Sequence, residues 1–453
     1  MTRNLHLCLR QFFFGAALLA AIFSFFAASA FAADQKDKQP APATPPNGPP
    51  KFNTSNIVWP QPPAVARVRF LDYFSAEKKP VEKQEVKKKS WMDRMAGVDP
   101  NEAAKRAGLK PRFALGTPYG LAVDSKGLVY VADTKVGAVF IFDPESKDVG
   151  FIKHGVDAHF GRIFGLAIDD ADRLFVSDGQ YNHVLVFNKD HKLEAQFGEG
   201  FMSDPAGMAI DEENRFLYVA NTGTDQILVF DADTFKLLRK IGTAGKNHTL
   251  TTPGDFSKPT NVAVDEDGNL YVTDTLNDRV EEFDADGSFI RTFGKNGDGP
   301  GDFMRPKGIA VDCDGHVWVA DAGSNRLQVF TKEGNLRLVM GGFGWLPGQF
   351  EALADVTIDK NNRVFTSEQY LGRVQMFRYV TNAEAQKEYD RRAEEAKAKR
   401  AGPKAAETAP AVAPATKPAE TTTPPASPDK TPAPAATPDT QKPAAPTTPP
   451  SNP

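Results

Sequence analysis

The stretch Phe303-Met-Arg-Pro-Lys-Gly-Ile-Ala-Val-Asp-Cys-Asp-Gly-His-Val-Trp-Val-Ala-Asp-Ala-Gly-Ser-Asn-Arg-Leu-Gln-Val-Phe330 holds three short strands and two tight turns. Ile309 and Val311 alternate with the smaller Gly308 and Ala310 and the polar Asp312, the period of a strand with differently used faces. Asp312 followed by Gly315, and Gly323-Ser-Asn325, carry residues that tolerate left-handed backbone at a turn.

The opening of this stretch recurs along the chain. It is found as Pro118-Tyr-Gly-Leu-Ala-Val-Asp124, Phe164-Gly-Leu-Ala-Ile-Asp169, Pro205-Ala-Gly-Met-Ala-Ile-Asp211, Pro259-Thr-Asn-Val-Ala-Val-Asp265, Pro306-Lys-Gly-Ile-Ala-Val-Asp312 and Ala354-Asp-Val-Thr-Ile-Asp359. The closing aspartates are spaced by 45, 42, 54, 47 and 47 residues. Such a period marks an array of small units, none able to bury its own faces alone. Each unit continues into an alternating second strand and a third ending in Phe142, Phe187, Phe230, Phe283, Phe330 or Phe377. Most close with a fourth, as in Phe289-Ile-Arg-Thr-Phe293. Four short antiparallel strands per unit form a propeller blade, so the chain is expected to be all-β, a six-bladed β-propeller.

The residues 303–330 and the fourth unit resemble the NHL repeat family, and the resemblance extends over residues 117–378. It implies the propeller fold. It does not imply one activity, because such rings carry unrelated binders and a few enzymes.

The sixth unit supplies only three strands, which would leave an open sheet edge. Ala66-Arg-Val-Arg-Phe-Leu-Asp-Tyr-Phe74 resembles the fourth strand of other units and is expected to close the ring from the N-terminal side. The propeller then spans residues 65–380, with an insertion at residues 75–116 in which 91–95 and 102–106 read as helical.

Residues 1–32 read as a secretory signal: Arg3 and Arg10, an apolar run from Phe12 to Phe26, and Ala30-Phe31-Ala32 before the cleavage point. An uncleaved anchor is the alternative. The protein is expected to be exported, to the periplasm or the extracellular space. Residues 33–64 form a Pro-rich linker. Thr381-Asn-Ala-Glu384 resembles a capping box opening a charged helix over 381–400. Residues 401–453 hold fifteen of the 35 prolines and no aromatic residue, a composition that predicts a disordered Pro/Ala/Thr-rich tail. Two cysteines, Cys8 and Cys313, exclude a disulfide framework, and Cys313 is read as a buried core residue.

Two sets of acidic residues repeat with the blades. Asp124, Asp169, Asp211, Asp265, Asp312 and Asp359 are read as turn acceptors, with Gly127, Asp172, Asn214, Gly268, Gly315 and Asn362 three residues later. Asp133, Asp178, Asn221, Asp274, Asp321 and Glu368 face Arg279, Arg326 and Arg373 across a hairpin in the last three blades, and Ala138, His183 and Gln226 in the first three. Strand direction puts the turns between second and third strands on one face with the links between blades. That loop face is the expected binding face. His183, Arg279, Arg326 and Arg373 are its candidate residues. Nearest the axis, Tyr119, Phe164, Asn261, Lys307 and Asp355 would surround a channel mouth, either plugged by these side chains or an asymmetric polar–aromatic pocket.

No catalytic residue, cofactor or metal ligand set is identified. An NHL-like ring resembles a zinc-dependent lyase of peptidyl hydroxyglycine in fold, but the axial positions hold no histidine. A calcium-dependent lactonase would need clustered axial carboxylates, and Asp355 stands alone there. The sequence contains no Gly-x-Ser-x-Gly elbow, P-loop or haem motif. A net charge of −4 excludes a general polyanion binder, and with it nucleic acid. The expectation is a monomeric binding scaffold for a protein, peptide or cell-envelope ligand, meeting the membrane only through an uncleaved signal. The alternative is a metal-dependent lyase-like or lactonase-like enzyme with its site at the channel mouth.

Overall fold

The computed structural model describes residues 54–75, 114–243 and 252–401. The stretch read as a secretory signal, most of that read as a linker, nearly all of the insertion, residues 244–251 and the tail past residue 401 lie outside the described residues. The chain divides into two compact units, Met1–Glu394 and Glu395–Pro453, and the described part of the second is helical throughout.

The first unit is a ring of six antiparallel sheets, five of four strands and one of five. The innermost strands are Pro118–Val123, Ile163–Ile168, Pro205–Asp211, Pro259–Val264, Pro306–Val311 and Leu353–Ile358. Each packs against the next, and the sixth against the first. The core is therefore six wedges rather than one centre. A separate buried apolar cluster fills each gap between adjacent blades. The second and third strands are sandwiched between neighbouring sheets, which is why Val129–Asp133 and Ala138–Phe142 are buried at every position. The outer strands, such as Leu193–Phe197, alternate towards solvent.

The predicted clasp is present. Val68–Phe74 pairs antiparallel with Arg373–Tyr379, setting Phe70 opposite Phe377 and Phe74 opposite Val374. The sixth blade also gains a fifth strand, Val58–Trp59, which pairs with the clasp inside the stretch read as linker. Trp59 meets the Phe377 ring edge-on at 5.8 Å, so the segment is anchored by an aromatic contact that a proline count does not register. The helix runs Asn382–Ala401 behind the expected capping box: Thr381 N–H donates to Glu384 Oε2 at 3.0 Å, and Glu384 N–H to Thr381 Oγ1 at 3.2 Å.

The first acidic set does what the turns require. Each carboxylate accepts amides two to four residues on, as Asp124 does from Lys126 and Leu128 and Asp359 from Asn361 and Arg363. The left-handed residue is the one expected in five blades. In the third it is Arg215 at φ 55 rather than Asn214, because that turn is one residue longer. Cys313 corrects the sequence reading: it is exposed, not core. It sits two residues beyond the end of the strand Pro306–Val311, where strand alternation no longer governs burial, and its thiol donates to Asn362 Oδ1 at 3.1 Å.

Candidate functional site

Every inner strand carries a register irregularity against its second strand near the axis, between Pro118 and Leu121 in the first blade and between Leu353 and Asp355 in the sixth. These bulges turn the chain towards the channel. The positions brought inward are Gly120, Gly165, Gly207, Asn261, Gly308 and Asp355. At Gly165 a Cβ would strike the Ala206 carbonyl, and at Gly308 the backbone of Asp355. Four glycines thus let neighbouring blades touch through backbone. The two side chains in this collar bond each other: Asn261 Nδ2 donates to Asp355 Oδ1 at 2.7 Å. Asp355 also accepts Leu121 N–H at 2.9 Å and Val356 N–H at 2.8 Å.

The pair forms a polar plug. Towards the loop face, Tyr119 and Phe164 pack edge to face at 5.1 Å, and Lys307 Nζ stands 5.4 Å from the Tyr119 ring centre. The five candidate mouth residues are therefore brought together, and their side chains occupy the mouth. Away from the loop face lies a cavity of about 290 Å³ with Asn261 and Asp355 in its lining and none of the three other mouth residues. Its walls are the free edges of the inner strands.

Burial shapes the chemistry here. It pushes the Asp355 carboxyl up to about 7, against its three hydrogen bonds, which favour the charge. Burial, helped by Arg305, lowers the Lys307 ammonium from its ordinary value. Burial and then the charges of Asp355 and Asp204 hold the Tyr119 phenol protonated.

The loop-face candidates do not converge. Arg279 is buried and pairs with Asp274 at 2.8 Å and Glu281 at 3.1 Å. Arg373 is buried against Glu368 at 2.7 Å and donates to the carbonyls of Trp345 and Gln349. Arg326 differs from both: it donates to Asp298 O at 2.6 Å, while Asp321 holds the amides of Met304 and Arg305. The whole second set is fully buried and tacks down the segment entering each blade, as Asp133 does for Gly116 and Thr117. His183 stacks on Tyr181 with centroids 5.7 Å apart. Its Nε2 is buried without a hydrogen-bond partner, and burial lowers its pKa.

Sequence reasoning missed one set. Ser177 donates to Ala206 O at 2.6 Å, Thr273 to Lys307 O at 2.7 Å and Ser367 to Tyr119 O at 2.5 Å, each crossing to the next blade's inner strand. The signal was available: the equivalent positions read Ala132, Ser177, Ala220, Thr273, Ala320 and Ser367, alternating around the ring.

A metal of the kind that the lyase and lactonase resemblances imply does not fit this donor set. The collar offers one carboxylate, already accepting three hydrogen bonds. Among the described residues, no three His, Cys, Asp or Glu side chains are grouped to hold an ion.

The NHL repeat family matches residues 115–142 and 303–330, and the SMP-30/Gluconolactonase/LRE-like region matches 169–294. A probable peptidyl-alpha-hydroxyglycine alpha-amidating lyase of Caenorhabditis elegans is 32% identical over 108 residues, 23% of this chain and 29% of that protein. The match thus spans less than a third of the relative's length. Among solved structures, virginiamycin B lyase from Staphylococcus aureus is 15% identical, with 59% of this chain and 81% of that one covered and a TM-score of 0.44. A gluconolactonase from Xanthomonas campestris is 16% identical, with 58% and 86% covered and a TM-score of 0.47. With two NHL matches lying on blades of a closed six-sheet ring, the chain is an NHL-repeat six-bladed β-propeller protein.

Proposed function

We propose that this protein is an exported, non-catalytic binding scaffold whose loop face holds a protein or peptide partner in the cell envelope. The observation that carries this reading is an asymmetry between the two faces. Val156, Tyr181, Phe201, Met304, Trp345 and Tyr370 are large, apolar and exposed, and all stand on turns or links of the loop face. The opposite face is built largely from the aspartate turns, and the exposed large apolar residues away from the loop face, such as Leu193, Phe289 and Tyr389, stand on outer strands and on the C-terminal helix. Exposed apolar groups gathered on the turns and links of one face mark an interaction surface. The channel supports the same reading, since its mouth is filled by its own side chains and its one carboxylate is committed to the collar.

The enzyme reading rests on the amidating-lyase relative, and the collar residues do not supply the ligands such chemistry needs. The test is cross-linking in cells that export the protein. Phe201→Glu with Tyr181→Glu is expected to abolish capture of the partner that the wild type captures, whereas Asp286→Lys on the opposite face leaves it. Loss with Asp286→Lys alone, or retention with the loop-face pair, overturns the proposal.

A further inference from the structure

Two links between blades share one backbone. Residues 294–303 and 341–350 are of equal length, and both begin on a left-handed glycine, Gly294 at φ 85 and Gly341 at φ 87. Both close with a parallel bridge, Asn296 to Phe303 and Phe343 to Phe350, and Phe303 and Phe350 are wholly buried. Both are held from below in the same way. Gln328 Oε1 accepts Gly301 N–H at 2.9 Å, and Gln375 Oε1 accepts Gly348 N–H at 2.8 Å. Arg326 donates to Asp298 O at 2.6 Å, and Arg373 donates to Trp345 O at 2.7 Å.

The tips differ completely. The first shows Asn296, Asp298 and Gly299. The second shows Phe343, Trp345 and Leu346, which are 66%, 70% and 51% exposed. The polar tip proves that this backbone forms without apolar side chains. The fold therefore gives no reason for exposing three of them together, and their presence calls for a contact outside the ring.

We infer that the Phe343–Leu346 tip seats the loop face on an uncharged lipid interface. This deepens the binding-scaffold reading and rests on the loop face being the working face. Three observations select a bilayer. No charged residue lies between Arg337 and Glu351, so nothing in the tip opposes entry into a low-dielectric layer, and nothing favours an anionic surface. Part of the tip's backbone is already paired within the protein, which lowers the cost of leaving water. Gly344 N–H donates to Phe350 O at 3.1 Å, Gln349 N–H to Leu346 O at 3.0 Å and Phe350 N–H to Gly342 O at 2.9 Å, while Arg373 caps the outer carbonyls. The side chains are the third: an indole, a phenyl and an isobutyl group, a set suited to the boundary between headgroups and acyl chains. Tyr370, 81% exposed, stands on the hairpin turn that leads into Arg373. The tip links blades five and six, so Phe201, on the link between blades two and three, is diametrically opposed and stays free for a protein partner.

The test uses the chain from Asp34 onward, which keeps every described residue and omits the N-terminal apolar run. Co-flotation with vesicles of pure phosphatidylcholine is measured for this chain and for the triple variant Phe343→Asn, Trp345→Asp, Leu346→Gly. The variant copies the tip that the preceding link already folds with, so its melting temperature is expected to be unchanged. Expected are binding by the parent chain that added salt does not weaken, a blue shift of its tryptophan emission, and a fall of at least about ten-fold in binding by the variant. No flotation of the parent chain, or equal flotation of both, overturns the inference. If flotation fails while cross-linking to a protein still depends on Phe201 and Tyr181, the lipid inference falls alone and the scaffold reading stands. Flotation that appears only with phosphatidylglycerol also contradicts the inference, because it requires basic groups that the tip lacks.

Discussion

A chain beginning at residue 76, without the clasp, is expected to lose cooperative unfolding. The clasp inserts Val68, Phe70 and Phe74, all buried, between the third strand of the sixth blade and the outside. Phe70 meets Phe377 edge-on at 5.5 Å, and Phe74 lies 4.3 Å from the Phe142 ring of the first blade. Each side chain is worth about 1.5–3 kcal/mol of burial, so their joint loss, of the order of 5–9 kcal/mol, is comparable with the whole stability of a domain. Removing them also leaves the strand Arg373–Tyr379 as an unpaired edge. The milder Phe70→Ala is expected to cost about 3–5 kcal/mol and to keep the transition cooperative. Both are read from urea unfolding followed by circular dichroism. An unchanged midpoint for the truncated chain would mean that the ring is held elsewhere.

The second large effect is a pH dependence centred on Asp355. Its carboxyl keeps its proton up to about 7 in the folded ring, whereas its ordinary value is 3.8. A raised pKa stabilises the fold fully below that ordinary value, and the contribution is lost as the pH rises through about 7. Between about pH 5 and about pH 8 the wild type should therefore lose about 2–3 kcal/mol relative to Asp355→Asn, whose amide does not titrate. Unfolding free energies of both proteins across this range check it. A constant difference between them would show that the carboxyl is charged throughout. The cause is the collar itself, where four glycines bring the inner strands close around one carboxyl and leave its charge no counter-ion.

The fold was legible because the repeat is a physical necessity. A blade cannot bury its faces alone, so six copies of one segment, reading Pro-x-Gly-x-Ala-x-Asp in three of them, announce six wedges. The clasp was legible for a related reason, since three strands ending at Tyr379 demanded a fourth. The fifth strand was not, because Val58–Trp59 is two residues long and lies among prolines. The turn aspartates could be read because their partners are two to four residues away. The second acidic set was harder, because its partners lie sixteen to eighteen residues upstream, at the entrance of the same blade. That distance is why Arg326 seemed a partner for Asp321 when backbone amides already filled it. Cys313 was misjudged by composition, since a lone thiol says nothing about which side of a strand end it occupies. The mouth residues lie near one another around the axis, but no periodicity could show that Lys307 stands over the Tyr119 ring or that the open volume lies beyond the Asn261–Asp355 plug.

The central claim is that the ring binds through its loop face and holds no catalytic metal at its axis. It is tested most directly by the metal content of the protein covering residues 34–400, purified without chelator and measured by mass spectrometry. No stoichiometric zinc or calcium is expected. One ion per chain, lost in Asp355→Ala or His183→Ala, would contradict it and make the channel a metal centre.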